Sequence, residues 1–460
     1  MSQGLTRKKP ITAALANGEH GLARSLSGLD LTVLGIGAII GAGIFVITGV
    51  AAATKAGPAL SLSFVVGALA CGFAALVYAE FASTVPLSGS AYTYTYVTLG
   101  ELPAWIIGWD LILEYALACA AVAIGWSGYF LRLLDGAGIH LPAALIHGPG
   151  EGGYINLPAF AIMLLISGLL ALGVRQTSLA NGLIVVLKLA VIGIFLYAAV
   201  PHVEPANWQP FMPFGWDGVM AGAGLIFFAY IGFDAVSTAA EEAKNPQRDM
   251  PIGIIASLLL CTVIYIAVTV VLTGIAPYAS LDVSDPMAFA LAQVGERFAA
   301  ATTAVGAVAG LTSVLLVMMY GQTRVFYAMS RDGLLPAVFS RVHPRTRTPA
   351  RTILATGLVI AIAAGVLPIH EVASLVNVGT LAAFIMVSLA VLYLRRAQPD
   401  LHRPFRTPFM PWVPILAIAS CGYLIASLEA VTLWRFMIWM LIGVVLYFAY
   451  ARRRSVLARA

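Results

Sequence analysis

The chain has 460 residues, of which 60% are hydrophobic and only 10% charged, and its mean hydropathy is +0.92. A composition this apolar excludes a water-soluble protein and predicts an all-α integral membrane protein, because helices satisfy their backbone groups without water. The net charge of +5 does not point to nucleic acid, since the cations gather in segments expected on one face of a bilayer.

Residues 1–28 read as a cytoplasmic arm carrying Arg7, Lys8, Lys9 and Pro10. No signal peptide is expected, because the arm lacks an apolar core followed by a small-residue cleavage site. A span needs roughly 20 apolar residues. Twelve transmembrane helices are predicted, at about 30–54, 59–83, 104–130, 157–174, 178–200, 217–240, 251–275, 299–325, 352–368, 372–394, 412–430 and 432–451. Between them, residues 131–156 form a Gly- and Pro-rich outer loop and 286–294 a short interfacial helix. With the N-terminus inside, Arg395 to Arg406 and Arg452 to Arg459 fall inward, whereas Lys55, Arg132, Arg297 and Arg435 fall outward. This bias places both termini in the cytoplasm of a multi-pass protein of the cell inner (plasma) membrane.

Span 1 is interrupted near its middle by Gly41-Ala42-Gly43, and span 6 at a matching place by Tyr230-Ile231-Gly232-Phe233-Asp234. Non-helical backbone at membrane depth is tolerated only where it lines a cavity or is buried in protein, so paired breaks predict a binding site. The breaks lie five spans apart, and five spans end on the opposite side from where they began. A five-plus-five inverted repeat follows: residues 29–200 form the first repeat and 217–397 the second. Two C-terminal helices at 411–452 and a cytoplasmic tail at 453–460 are appended.

Each break exposes carbonyls at the end of one half-helix and amides at the start of the next, with roughly half an elementary charge at each terminus. A zwitterionic amino acid complements that arrangement. Its carboxylate is assigned to the amides of Gly41, Ala42 and Gly43, and its ammonium to carbonyls around Ile39, Ile40, Phe228, Ala229 and Ile231. Glycine at 41 and 43 removes the Cβ that would block close backbone approach. The competing reading is that Gly-Ala-Gly lets two helices pack closely. The acidic Asp234 in mid-span weighs for a cavity, because a lipid-facing acid is costly.

Cys71, Cys119, Cys261 and Cys421 lie inside spans without ligand spacing, and none of the seven histidines lies in a span. Neither a disulfide, a metal, a cofactor nor an enzyme is expected.

The chain also resembles the amino acid–polyamine–organocation superfamily, closest to its bacterial cationic amino acid transporter branch. The stretches Gly37 to Phe45, Tyr78 to Tyr92, Phe227 to Pro246 and Arg324 to Pro336 carry the resemblance, which runs from Leu26 to about Pro414. It implies the same inverted-repeat fold, alternating access, and coupling to protons or to exchange.

Lys188 lies ten residues into span 5, about 15 Å from either end at 1.5 Å per residue, beyond the reach of snorkelling. Burying it costs at least about 2.5–3.5 kcal/mol. The resemblance implies that such a lysine stands where sodium-coupled relatives hold sodium between spans 1 and 8, binding the freed carbonyls of span 1. Two roles remain open: a proton switch that releases span 1, and a permanently charged pin. Glu114, Asp234 and Tyr265 are the other proton-coupling candidates. Glu114 is open to a side-chain contact with substrate, or to a purely structural role. Glu80, Glu241 and Glu242 are expected to stabilise an inner gate, and Asn245-Pro246 ends span 6.

Phe228 is expected to cover the ligand and Met318 to wall the pocket, favouring small neutral side chains over lysine or arginine. The partners expected are an amino acid substrate, protons and the lipid bilayer. A small single-span accessory subunit would leave no mark on this sequence; otherwise the chain is expected to be monomeric. Cationic amino acid or polyamine transport or exchange is the first alternative, and a non-transporting amino acid receptor the second. A polyamine would leave the amides at 41–43 unused, and a receptor would append a signalling domain.

Overall fold

The computed structural model describes residues 7–8, 26–85, 90–173, 178–344, 346 and 348–459. Most of the arm at 1–28, the motif residues Pro86 to Gly89, Arg175 and the side chain of Glu241 lie outside the described residues. Among the described residues the fold is helical, and one isolated bridge joins Leu26 to Ala243 in parallel.

A helix lies at each expected span. In chain order these are α1 (Gly28–Ile39), α2 (Leu60–Thr84), α3 (Glu101–Gly136), α4 (Leu157–Ala171), α5 (Ser178–Ala199), α6 (Gly215–Ile226) and α7 (Pro246–Ile275). They continue as α8 (Arg297–Arg331), α9 (Ala350–Val366), α10 (Ile369–Ala397), α11 (Trp412–Ala426) and α12 (Ala430–Leu446). Among the described residues, 7 helical runs are long and apolar enough to cross a membrane, and α1, α4, α9 and α11 are shorter apolar helices. Exposed Leu183 and Val186 on α5, and Leu259 and Val263 on α7, give the bundle the apolar exterior a bilayer requires.

Both interruptions exist. α1 starts in a capping box, with Ser27 Oγ accepting from the Asp30 amide and Asp30 Oδ2 accepting from the Ser27 amide at 2.8 Å, which satisfies two orphan donors. It stops where Ile40 turns extended at ψ 97°. The chain resumes as a wide helical segment, Gly43–Ile47, followed by Thr48–Ala51 and Ala52–Ala56.

The second break starts earlier than Tyr230. α6 ends at Ile226, tightens into a 3-10 turn over Phe227–Tyr230, and resumes as 3-10 helix over Asp234–Glu242. Between these, Gly232 has φ +121°, a conformation that favours glycine. A Cβ there would also lie 2.8 Å from the Ala38 carbonyl carbon. The two breaks therefore touch, and they do so at the centre of the bundle.

Two further helices lie between the spans. The helix Pro286–Gln293 forms, and its Met287, Ala288, Ala290 and Leu291 are fully buried against the bundle. Ser90–Thr98, between α2 and α3, is an unexpected helix whose Tyr- and Thr-rich sequence carries little helical signal.

Candidate functional site

The half-helix ends at the first break each have an identifiable partner or none. Lys188 of α5, 1% exposed, donates from Nζ to the Gly37 carbonyl at 2.7 Å and to the Ile40 carbonyl at 2.8 Å. Tyr265 of α7 donates its hydroxyl to the Ile39 carbonyl at 2.8 Å. Three carbonyls freed by the end of α1 are thus held by side chains from two other helices. Hydrogen bonds from a charged donor contribute roughly 1.5–3 kcal/mol each, enough to offset much of the cost of burying the lysine. The stem of Lys188 passes over Gly310 of α8, where a Cβ would come within 3.0 Å of its Cγ. On the other side of the break the amides of Gly41, Ala42 and Gly43 take no backbone partner among the described residues.

At the second break the backbone looks after itself. The Ile231 amide donates to the Phe228 carbonyl at 3.3 Å, and the Gly232 amide donates to Asp234 Oδ1 at 3.2 Å. Asn377 of α10 donates to the carbonyls of Gly224 and Leu225 at 2.8 and 3.0 Å.

Between the breaks lies a cavity of about 20 Å³. That holds about one water and is far below the roughly 300 Å³ at which ligand pockets begin. Of the residues assigned to substrate from the sequence, Ile39, Gly41, Ala42, Gly43, Phe228, Ile231 and Met318 line it, whereas Ile40 and Ala229 do not. Ile40 is turned to Lys188, and Ala229 is packed on Gly43, where a Cβ would stand 2.2 Å from the Ala229 Cα. Gly43 therefore serves close helix packing, whereas a Cβ at Gly41 would make only ordinary contacts to Val314 at 3.6 Å. Ala38, Ala118, Val122 and Val314 complete the wall. Small apolar residues give no sequence signal for such a role. Every lining side chain is apolar, so all polarity in the cavity comes from backbone.

The four proton-coupling candidates stand at two places. Lys188 and Tyr265 hold α1, whereas Glu114, 4% exposed, stands with Asp234 behind the second break, near Tyr78 and Tyr115. At one end of the bundle Glu80 takes a two-pronged bond from Arg395, at 2.8 and 2.7 Å, and the Thr407 amide at 2.7 Å, with Arg403 at 3.5 Å. Glu242 contributes its backbone there: its carbonyl accepts from Leu26 at 2.9 Å, and Leu26 accepts from Lys244 at 2.8 Å.

The model of the amino acid permease family matches residues 26–447. The chain belongs to that family. Among its relatives, the branched-chain amino acid permease BcaP of Bacillus subtilis is 53% identical over 462 residues, covering 99% of both chains. The methylthioribose transporter of Bacillus subtilis is 52% identical over 456 residues, covering 98% of this chain and 99% of the relative. The vacuolar cationic amino acid transporter 2 of Arabidopsis thaliana is 40% identical over 410 residues, covering 86% of this chain and 64% of the relative. This permease is accordingly a multi-pass membrane transporter and not an enzyme.

Proposed function

We propose that this permease is a secondary active transporter of L-amino acids, driven by protons, favouring small neutral side chains and working by alternating access. The observation that carries the reading is the meeting of two broken helices, with bare amides at 41–43 on one side and apolar walls around. Bare amides at a helix start favour a carboxylate. Ile39, Ile40 and Phe228 carbonyls already accept one bond each, so the ammonium falls to Ala229 and Ile231, with the others supplying a second lone pair. Walls without a charged or polar side chain offer nothing to the end of lysine or arginine. They do accept aliphatic groups, up to the branched ones named for the relative BcaP. Admitting any of these requires Phe228 and Met318 to swing away.

In this reading Lys188 is the switch. Protonated, it holds Gly37 and Ile40; deprotonated, it releases the end of α1 and lets the half-helix move. Glu114, Asp234 and Tyr265 serve proton movement. Ten of the twelve helices form the five-plus-five repeat of residues 29–200 and 217–397 and the last two, at 411–452, are appended, with both termini and the Glu80 cluster on the cytoplasmic side of the plasma membrane.

A second reading has a specific observation behind it. The methylthioribose transporter is nearly as similar as BcaP, and a neutral thioether sugar also suits apolar walls. Uptake by purified protein in liposomes under an imposed pH gradient separates them. The expected result is accumulation of alanine, valine or leucine, but not of lysine, a polyamine or methylthioribose. Accumulation of methylthioribose alone would overturn the amino acid reading.

A further inference from the structure

α3 carries a line of residues one turn apart: Ala118 in the cavity wall, then Glu114, then Asp110. Four-residue spacing puts all three on one helix face, and eight residues at 1.5 Å each cover about 12 Å. Asp110 was not singled out in the sequence, since it lies close enough to the start of span 3 to pass as a residue of the span's edge.

Asp110 is 1% exposed, and among the described residues both of its carboxyl oxygens lack a hydrogen-bond partner, as does Glu114 Oε2. The carboxyl lies against the backbone of α10 at Gly379, where a Cβ would come within 2.6 Å of Oδ1. The titratable groups recorded about this pair are acidic or neutral. Glu114 stands beside Asp110; around Glu114 and Asp234 in turn lie Tyr115 of α3, with Cys119 beside it, Tyr78 of α2 and, near Asp234, Tyr94 of the helix Ser90–Thr98. α10 contributes Thr380 beside Glu114, with Ser388 Oγ and Asn377 Oδ1 unpartnered in the interior, and α8 contributes Gln322. Among the described residues no lysine, arginine or histidine pairs with either acid. An unpaired buried carboxylate costs several kcal/mol, so such a group carries a proton.

We propose that Asp110 is a second protonation site of the transport cycle, lying between Glu114 and the Glu101 end of α3. This rests on the proton-driven reading above. Asp110 gives up its proton to water reaching it from the Glu101 end, breaking one O–H bond and forming one on water. Glu114 then reloads it: the Glu114 O–H bond breaks, an O–H bond forms at Asp110, and Glu114 takes its replacement from the cavity side. Each step moves one proton and leaves one carboxylate behind, which the next step neutralises. Asp110 touches neither substrate nor the lysine, so its part is in coupling and not in binding.

The test uses the full chain in liposomes, as parent, Asp110→Asn and Asp110→Glu, with labelled L-alanine or L-leucine as probe. For Asp110→Asn, accumulation under a pH gradient is expected to fall about tenfold, while exchange of labelled for unlabelled probe at equal pH stays within about twofold of parent. Asp110→Glu is expected to restore part of the accumulation. Unchanged accumulation and pH profile in Asp110→Asn overturns the proposal, as does equal loss of both readouts with a lowered thermal midpoint, which would mark a structural residue. A parent that accumulates probe without regard to the pH gradient refutes the proton-driven reading itself. Infrared spectroscopy reads the group without any substrate: the parent at neutral pH must show a buried protonated carboxyl stretch that Asp110→Asn removes, and its absence overturns the proposal.

Discussion

The two broken helices meet one problem, unpaired backbone at the centre of the bundle, in opposite ways. At the first break the freed carbonyls of Gly37, Ile39 and Ile40 are taken by Lys188 and Tyr265, from α5 and α7. At the second, Phe228, Asp234 and 3-10 turns satisfy the neighbouring amides within the same segment, and the neutral Asn377 holds the end of α6. An ammonium side chain and a hydroxyl bind the first break, and a neutral amide binds the end of α6. In the proposed cycle this difference gives movement to α1 and its continuation, and gives the α6 break the part of a fixed counterpart.

That contrast can be broken most directly at Lys188. Replacing it with alanine leaves two buried carbonyls without partners at about 1–3 kcal/mol each, so uptake in liposomes is expected to fall on the order of 100-fold, with the remaining rate insensitive to pH. A pH profile like that of the parent would remove the switch and leave a pin. The glycines give the next largest effect. Gly43→Ala drives a Cβ into the Ala229 backbone and is expected to cost about 1–3 kcal/mol, seen as a lowered thermal midpoint in detergent. Gly41→Ala meets only ordinary contacts, so it should keep the midpoint and lose about tenfold in uptake by crowding the carboxylate site. Asn377→Ala removes two bonds from the end of α6, about 2 kcal/mol in stability, yet the pH profile of uptake should match the parent. Tyr265→Phe removes a single bond to Ile39, about 1 kcal/mol, and a loss of about fivefold in uptake is expected. An Asn377 variant that shifts the pH profile, or a Tyr265 variant as damaging as Lys188→Ala, would erase the distinction between the two breaks.

The breaks and the lysine were legible because each violates a rule of the bilayer: glycines in mid-span, an acid in mid-span, an ammonium beyond snorkelling range. What answers them was not. Gly310 and Asn377 act through contacts 122 and 153 residues away in sequence, from 310 less 188 and 377 less 224, and nothing local marks either residue. Asp110 carries no local mark either, because its contact with Gly379 of α10 is set by packing. That Gly43 also packs on Ala229, whereas a Cβ at Gly41 would meet only ordinary contacts, depends on distant residues and has no local signal. The cavity size was illegible for another reason: composition gives the walls, but how far Phe228 and Met318 close over the break is a matter of packing.

The measurement closest to the central claim is competition for uptake by trimmed substrates. Against labelled L-leucine or L-alanine, the account predicts inhibition by the intact amino acid and none by the amine lacking the carboxylate or the acid lacking the amine. Equal inhibition by either trimmed molecule would contradict a site built from facing half-helix ends.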